Sequence, residues 1–583
     1  MSFFKSFFAS CLGSVVAMIV VVFCFIGLLS ISGDEEVVIG NNSVLHLDLD
    51  VPIIETERED PFAGMPFFGS DAPRPVGLAQ LRQAILKAKD DERIKGIYLS
   101  VSSPQAGYAA IEELRKALQD FRAGGKWVIA FSEGMTEQAY YLASPADKIY
   151  LHPEGDLEFN GLAIDVTFFK KLFDKLEIKP EVFRVGEFKS AVEPFLLEKM
   201  SEQNRLQLTE LIESINDQVI AGVASARNLP VERVKEISDK MLVHNPAQAK
   251  EVGLVDSLAY ADQVEDIIKK RAGVDKLSLV KYVKYKKTVT QTGTSKNEVA
   301  VIVAEGTIVS GKADPSRGVI ASESFIKELR KAREDEDVKA VVLRINSPGG
   351  SSLASDAMWR EITLTSKVKP VIASMADYAA SGGYYMAMGC DTIVAQPHTI
   401  TGSIGVFSVL YDASGFLGNK LGITSEELKT GEIGELITIS RPLTQVERNI
   451  WQQRTEEVYD TFTKKAAEGR NTTQDAIKAV ASGRVWSGLQ AKERGLVDII
   501  GTYEDAVKVA AAAANLKDDY KVRIYPRYTP SFFEQIATKI EEDNEENAVR
   551  AQLGEYYYLY EQLKDVKSYQ GTQARMPYTL RFH

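Results

Sequence analysis

"RIKGIYLSVSSPQAG", residues 93–107, is answered by "DVKAVVLRINSPGGS", residues 337–351, with 348 − 104 = 244 residues between the two prolines. Each stretch is a short β-branched run, "GIYLSV" or "AVVLRI", that ends in a serine–proline turn. The correspondence continues downstream. "YYLASPADKIYLHPEGDLEFNG", 140–161, lies over "YYMAMGCDTIVAQPHTITGSIG", 384–405, at the same spacing. "KWVIAFS" and "KPVIAS" match with a one-residue slip, and "AKEVGLVDSL", 249–258, answers "AKERGLVDII", 491–500. Helical stretches of period near 3.6, such as "LAQLRQAILKAKDD" and "SFIKELRKARED", alternate with the strand-like runs. Strand, helix and strand in that order build βαβ units around a mostly parallel sheet. The chain therefore reads as a tandem duplication of one α/β unit.

Working outward, 583 residues exceed what one core can organise. A net charge of −12 argues against a nucleic-acid partner, because neutralising phosphates takes a concentrated basic face. Cys11, Cys24 and Cys390 cannot form a disulfide framework or a CxxC metal site, and no GxxxxGK[ST] phosphate loop is present. No metal or cofactor is expected. Residues 7–32, "FFASCLGSVVAMIVVVFCFIGLLSIS", carry no charge and "GDEE" follows at once. The run exceeds the ~18 residues that span a bilayer and is too long for a cleavable apolar core. It reads as a transmembrane signal anchor. Lys5 on the short side predicts a cytoplasmic segment 1–6, a single pass through the inner membrane, and the bulk of the chain outside. The expected units are then 43–283, a polar linker 284–297, a second repeat 298–530, and an acidic, aromatic tail 531–583. The Pro-, Gly- and Phe-rich stretch 57–77 reads as a long loop.

Duplicated halves drift, so the informative positions are those where a chemical capacity survives in one half only. Gly349 and Gly350 of "SPGGSS" can expose backbone N–H groups, whereas the first repeat has Gln105 and Ala106 there. Ser403 of "TGSIG" faces Phe159 in the alignment. Lys189 of "FRVGEFKSAVEPF", in the first repeat, faces Gly434 when "KLEIKPEVFRVGEFK" is set against "KLGITSEELKTGEIG". Hydroxyl and donor loop survive in one copy, the amine in the other. That division suggests a serine–lysine dyad, in which lysine acts as base only when desolvated. Its pKa must fall from about 10.4 to roughly 7–8, or ~4 kcal/mol in favour of the neutral amine. Phe188 and Val192 can contribute burial, provided that Glu187 and Glu193 point away. Gly350, with Gly349 beside it, and the N–H of Ile404 are the candidate oxyanion donors.

These segments, "GEFKSAVEPF", "INSPGGSS", "DYAASGGYYMA" and "TGSIGV" in that order, closely resemble the SppA (protease IV) family of signal peptide peptidases in its two-repeat form. The resemblance implies Ser403 as nucleophile and Lys189 as general base. It also implies the α/β spiral of crotonases and caseinolytic-type proteases, a bowl-shaped homotetramer at the lipid bilayer, and remnant signal peptides or other apolar peptides as substrate.

Other readings compete with this one. A glycine-flanked serine often marks only a turn. His398 lies five residues from Ser403, yet no acid is evident to orient it, and its counterpart is Glu154; it and His152 read as structural. "ASGGYY", 380–385, reads mainly as helix–strand packing, and a hydroxyl to orient the lysine is sought at Thr424, Ser425 or Thr430. The competing functions are a crotonase-like acyl-CoA enzyme and an inactive membrane scaffold.

Overall fold

Both β-branched runs form central strands. Ile94–Ser100 sits in a six-stranded, wholly parallel sheet, between Ser43–Asp48 on one side and Trp127–Met135, Lys148–Leu157 and Ser257–Leu258 on the other. Leu279–Lys281 closes the far edge. Val338–Ser347 occupies the matching place in a second, eight-stranded sheet, flanked by Glu298–Glu305 and Val371–Ala380. Among the described residues the only antiparallel pair in that sheet joins Ile400–Gly402 to Val485–Ser487. In the computed structural model the residues described are 13, 16–17, 39–57, 75–289, 295–313, 318–525 and 572–576. The expected anchor at 7–32 apart from residues 13, 16 and 17, most of the 57–77 loop, residues 290–294 of the expected linker and nearly all of the 531–583 tail lie outside them. No helix among the described residues is long and apolar enough to cross a membrane.

The helices cover the sheets as the 3.6 period requires. Leu78–Asp90 buries Leu78, Leu81, Ala84, Ile85 and Ala88, and Ser322–Glu334 buries Phe325, Leu329 and Ala332 on its corresponding face. Neither begins with a side-chain cap, so packing rather than capping carries them. By contrast, Ser201 caps the long helix Glu202–Arg227 through the Asn204 amide.

Charge is buried between the repeats. Arg344, 3% exposed at its side chain, holds Glu55 at 2.7 Å and Glu113 at 2.9 Å, and Arg82 reaches Glu113 at 3.1 Å. Gln396 of the second repeat also donates to Glu113. Such a group is stable only while every member is paired, so it fixes how the two copies meet.

A third sheet departs from the repeat. Its order is Val319–Ala321, Thr307–Val309, Gly349–Ser351, Thr572–Arg575, Val406–Asp412 and Lys179–Val185. Lys179–Val185, from the first repeat, crosses into the second and pairs antiparallel with Val406–Asp412 over seven residues. Its counterpart in the second repeat, residues 424–430, forms no strand and is exposed. The pseudo-symmetry breaks where the two copies are joined.

Candidate functional site

The crossing strand decides the site. Val185 is the last residue paired with Val406, so the chain leaves the ladder four residues before Lys189 and enters it three residues after Ser403. The two side chains meet at this end: Lys189 Nζ lies 3.0 Å from Ser403 Oγ. Both residues are fully buried.

Ser403 is held in a tight, strained turn. Its φ is +50°, a left-handed conformation costly for a residue with a Cβ, and Gly402 before it has φ +76°. The turn is pinned by the Ser403 amide donating to Arg484 O at 2.7 Å and by the Gly483 amide donating to Ile404 O at 2.9 Å. Glycine is needed around the lysine as well. A Cβ on Gly483 would stand 2.6 Å from Lys189 Cβ, and one on Gly405 would press on Lys189 Cδ at 3.3 Å. Gln207 ties this loop to the second repeat, donating to Phe188 O and accepting from the Val485 amide.

Lys189 Nζ has three oxygen neighbours: Ser403 Oγ at 3.0 Å, Ser381 Oγ at 2.9 Å and Ser403 O at 3.1 Å. Burial alone drives its pKa well below the ordinary lysine value, and no charged neighbour is a cause of the shift. Glu187 is exposed, and the buried Glu193 is turned to Ser201, whose hydroxyl and amide it accepts. A neutral amine has two N–H donors and one lone pair. Two of the three contacts, to Ser381 Oγ and Ser403 O, take the donors, and the lone pair is left for the Ser403 hydroxyl. The arrangement can take the proton of Ser403 as the hydroxyl attacks.

Ser381 is the residue that sequence reasoning missed. Its φ, ψ of +55°, −110° are strained for a non-glycine, and its amide donates to Gly402 O at 2.8 Å. The "ASGGYY" stretch thus contributes more than packing, while Thr424, Ser425 and Thr430, where an orienting hydroxyl was sought, are exposed. A signal was present. At the 244 spacing Ser381 faces Glu137, another position where only the second copy keeps a hydroxyl. In the first repeat the Glu137 carboxylate accepts the amides of Asn160 and Gly161, and Phe159 packs edge-on against Tyr140. That copy of the site is filled.

Gly349, at φ +99°, lies against the same loop: a Cβ there would meet Gly382 N at 2.7 Å and Ala380 O at 3.1 Å. Gly350 is buried beside it in a strand flanked by Ile308 and Ala574. Ile404 is buried directly after the nucleophile candidate. His398 belongs elsewhere, stacked on Tyr108 and edge-on to Tyr141 of the first repeat, with its pKa lowered to about 4 by burial. His152 packs edge-on against Tyr260.

Residues 120–275 and 363–517 each match the model of peptidase family S49, one match per repeat. A chloroplastic serine protease SPPA of Arabidopsis thaliana is 36% identical over 466 residues, covering 78% of this chain and 68% of that protein. Protease 4 of Haemophilus influenzae is 33% identical over 470 residues, covering 78% and 76%. Protease 4 of Salmonella typhi is 36% identical over 470 residues, covering 78% and 75%. With two copies of the family's domain in one chain, and homology to serine proteases along most of its length, this chain belongs to peptidase family S49 and is a serine-type peptidase.

Proposed function

We propose that the chain is a membrane-anchored endopeptidase that cleaves remnant signal peptides and similar apolar peptides, with Ser403 as nucleophile and Lys189 as general base. The observation that carries the dyad is the contact between Lys189 Nζ and Ser403 Oγ at 3.0 Å, with the amine wholly buried and no carboxylate beside it. The Ser403 Oγ attacks the substrate carbonyl and its proton passes to Lys189. The amine then returns that proton to the leaving nitrogen, and water releases the acyl group from Ser403. Gly350 N–H is the candidate donor to the oxyanion, with Ile404 N–H as the second. Ser381 holds the amine in line.

The membrane placement rests on the uncharged run 7–32, followed by an acidic cluster, which puts both repeats on the extracytoplasmic side. Assembly as a homotetramer is supported by the second repeat's stretch after the nucleophile strand. There Leu421, Ile423, Leu428, Ile437 and Ile439 are all more than half exposed, a patch suited to another copy of the chain. The deciding experiment is labelling with a serine-reactive phosphonate or β-lactone followed by peptide mass spectrometry. Modification at Ser403, lost in Lys189→Met, is expected; modification at another serine overturns the assignment.

A further inference from the structure

The ladder of Lys179–Val185 ends four residues short of Lys189, so it does not by itself hold the loop that carries the amine. A second tie comes from the first repeat's helix Glu202–Arg227. Gln207, Glu210 and Ser214, three and four residues apart and so on one face, reach Val485, Arg484 and Ser487 of the second repeat. Gln207, 1% exposed, does most here. Its Nε2 donates to Phe188 O at 3.1 Å and to Ser190 Oγ at 2.8 Å, one residue before and one after Lys189, and to Asn204 Oδ1 at 3.0 Å. Its Oε1 accepts the Val485 amide at 3.2 Å. Arg484, the residue before Val485, accepts the Ser403 amide on its carbonyl at 2.7 Å. One side chain therefore brackets the base and stands one residue from the pin of the nucleophile.

Arg484 closes the clasp from the other side. Its guanidinium lies 4.7 Å from the centre of the Phe188 ring and 4.2 Å from that of Trp486, and it pairs with Glu210. The two loops are already in contact, since the Phe188 amide donates to Ser482 O at 3.0 Å and a Cβ on Gly186 would stand 2.4 Å from that oxygen. The other copy lacks both polar groups. The helix caps Ser201 and Thr444 correspond at 444 − 201 = 243, which sets Gln207 against Ile450. The caps Asn245 and Ser487 correspond at 487 − 245 = 242, which sets Arg484 against Leu242. As with the dyad, one half of the clasp survives in each repeat, and the two survivors meet.

We propose that Gln207 is a positioning residue of the peptidase, which with Arg484 sets the distance between Lys189 and Ser403 and keeps water from the amine. The inference rests on the dyad reading above. Proton transfer needs the two atoms within hydrogen-bond reach, and a displacement near 1 Å costs about 10²-fold in rate. Charged groups around the loop include Arg184, which donates to Lys189 O, the Arg484–Glu210 pair, the exposed Glu187, and Glu193, turned to Ser201. None is a cause of the lysine's shift, so burial is what the clasp maintains. Loosening it admits water, and hydration favours the ammonium.

Gln207→Met tests this, because it keeps the volume and removes every hydrogen bond of the side chain. It is expected to lower kcat about 10- to 100-fold with KM changed less than about threefold, and to move the acidic limb of kcat/KM to higher pH. Labelling of Ser403 by a phosphonate should slow comparably. Leu211→Ala, a cavity in the first repeat's core on the same helix, controls for lost stability: its melting temperature should fall while its limb stays in place. A Gln207→Met chain that melts lower but keeps the wild-type kcat and limb overturns the inference and leaves the dyad standing. An equal shift of the limb in Leu211→Ala overturns it too. Should Gln207→Met fail to fold, Arg484→Met decides by the same readouts, and a wild-type rate and limb there overturn the inference. Arg484→Lys, which keeps the charge opposite Glu210, should restore part of the rate. If the wild type is not labelled at Ser403 and shows no limb, the dyad falls, and the inference with it.

Discussion

Val185 faces Val406 at the end of the ladder that joins the two repeats, and the dyad lies just beyond that pair. Side chains 214 residues apart in sequence are brought to 3.0 Å by one strand that leaves its own repeat. Every test of the site is therefore also a test of this crossing.

Removing either dyad member should abolish peptide cleavage while the chain stays folded. Ser403→Ala is expected to lower kcat/KM by about 10⁴-fold or more, and Lys189→Met by about 10³-fold or more. Neither should lower the melting temperature. Methionine in place of a buried amine removes a desolvation cost without leaving a charge unpaired. Size-exclusion profiles identical to wild type, with activity lost, are the expected result. A Lys189→Met chain that keeps substantial activity at neutral pH would refute the base.

The pH dependence follows from the direction of the lysine shift. Because burial lowers the Lys189 pKa, the amine becomes competent well below the ordinary lysine range. The profile of kcat/KM should rise through a single-proton limb to a plateau, with its midpoint well under the ordinary lysine value. Stability carries the same sign. The unfolded chain binds a proton that the buried amine gives up, so this group opposes folding at low pH and the penalty fades as pH rises toward the unfolded pKa. Lys189→Met should remove that slope, as denaturation series at several pH values would record.

Ser381→Ala separates positioning from chemistry. The amine loses the acceptor that aims it, so kcat should fall by about 10- to 100-fold with KM little changed. Loss of an acceptor also disfavours the ammonium, moving the acidic limb to lower pH. Ser381→Thr, which keeps the hydroxyl, should restore part of the rate. An unchanged limb in Ser381→Ala would assign this serine to the turn alone.

Arg344→Met tests the buried charges between the repeats. It leaves Glu55 and Glu113 without their main partner and should cost about 3–5 kcal/mol, measured by urea denaturation. A cost below about 1 kcal/mol would mean that water or Arg82 takes over the pairing.

Much of the fold was legible because burial leaves a periodic trace. The runs 96–101 and 340–345 fall inside Ile94–Ser100 and Val338–Ser347 or one residue beyond, and both helical windows became helices. Ser403 and Lys189 stood out because each lost its chemistry in the other copy. Ser381 satisfied the same criterion against Glu137, but a serine before two glycines suits a packed turn equally well, and only the geometry separates the two. The crossing of Lys179–Val185 left no trace, since a strand's ladder bonds are made by backbone atoms that every residue shares. "TQAR", 572–575, has no apolar–polar alternation and a single β-branched residue, Thr572, so its place in the third sheet shows only in its backbone pairing.

The strand exchange between repeats also sets when the molecule becomes dangerous. While the first repeat emerges and folds, its lysine has no serine beside it, and in water it is a protonated, harmless side chain. The serine in turn has no base until the seven-residue ladder closes over it. A chain caught half-folded, among other unfolded chains that any protease could cut, carries no working peptidase. Proteolytic power arrives only in the step that buries the amine between the two repeats.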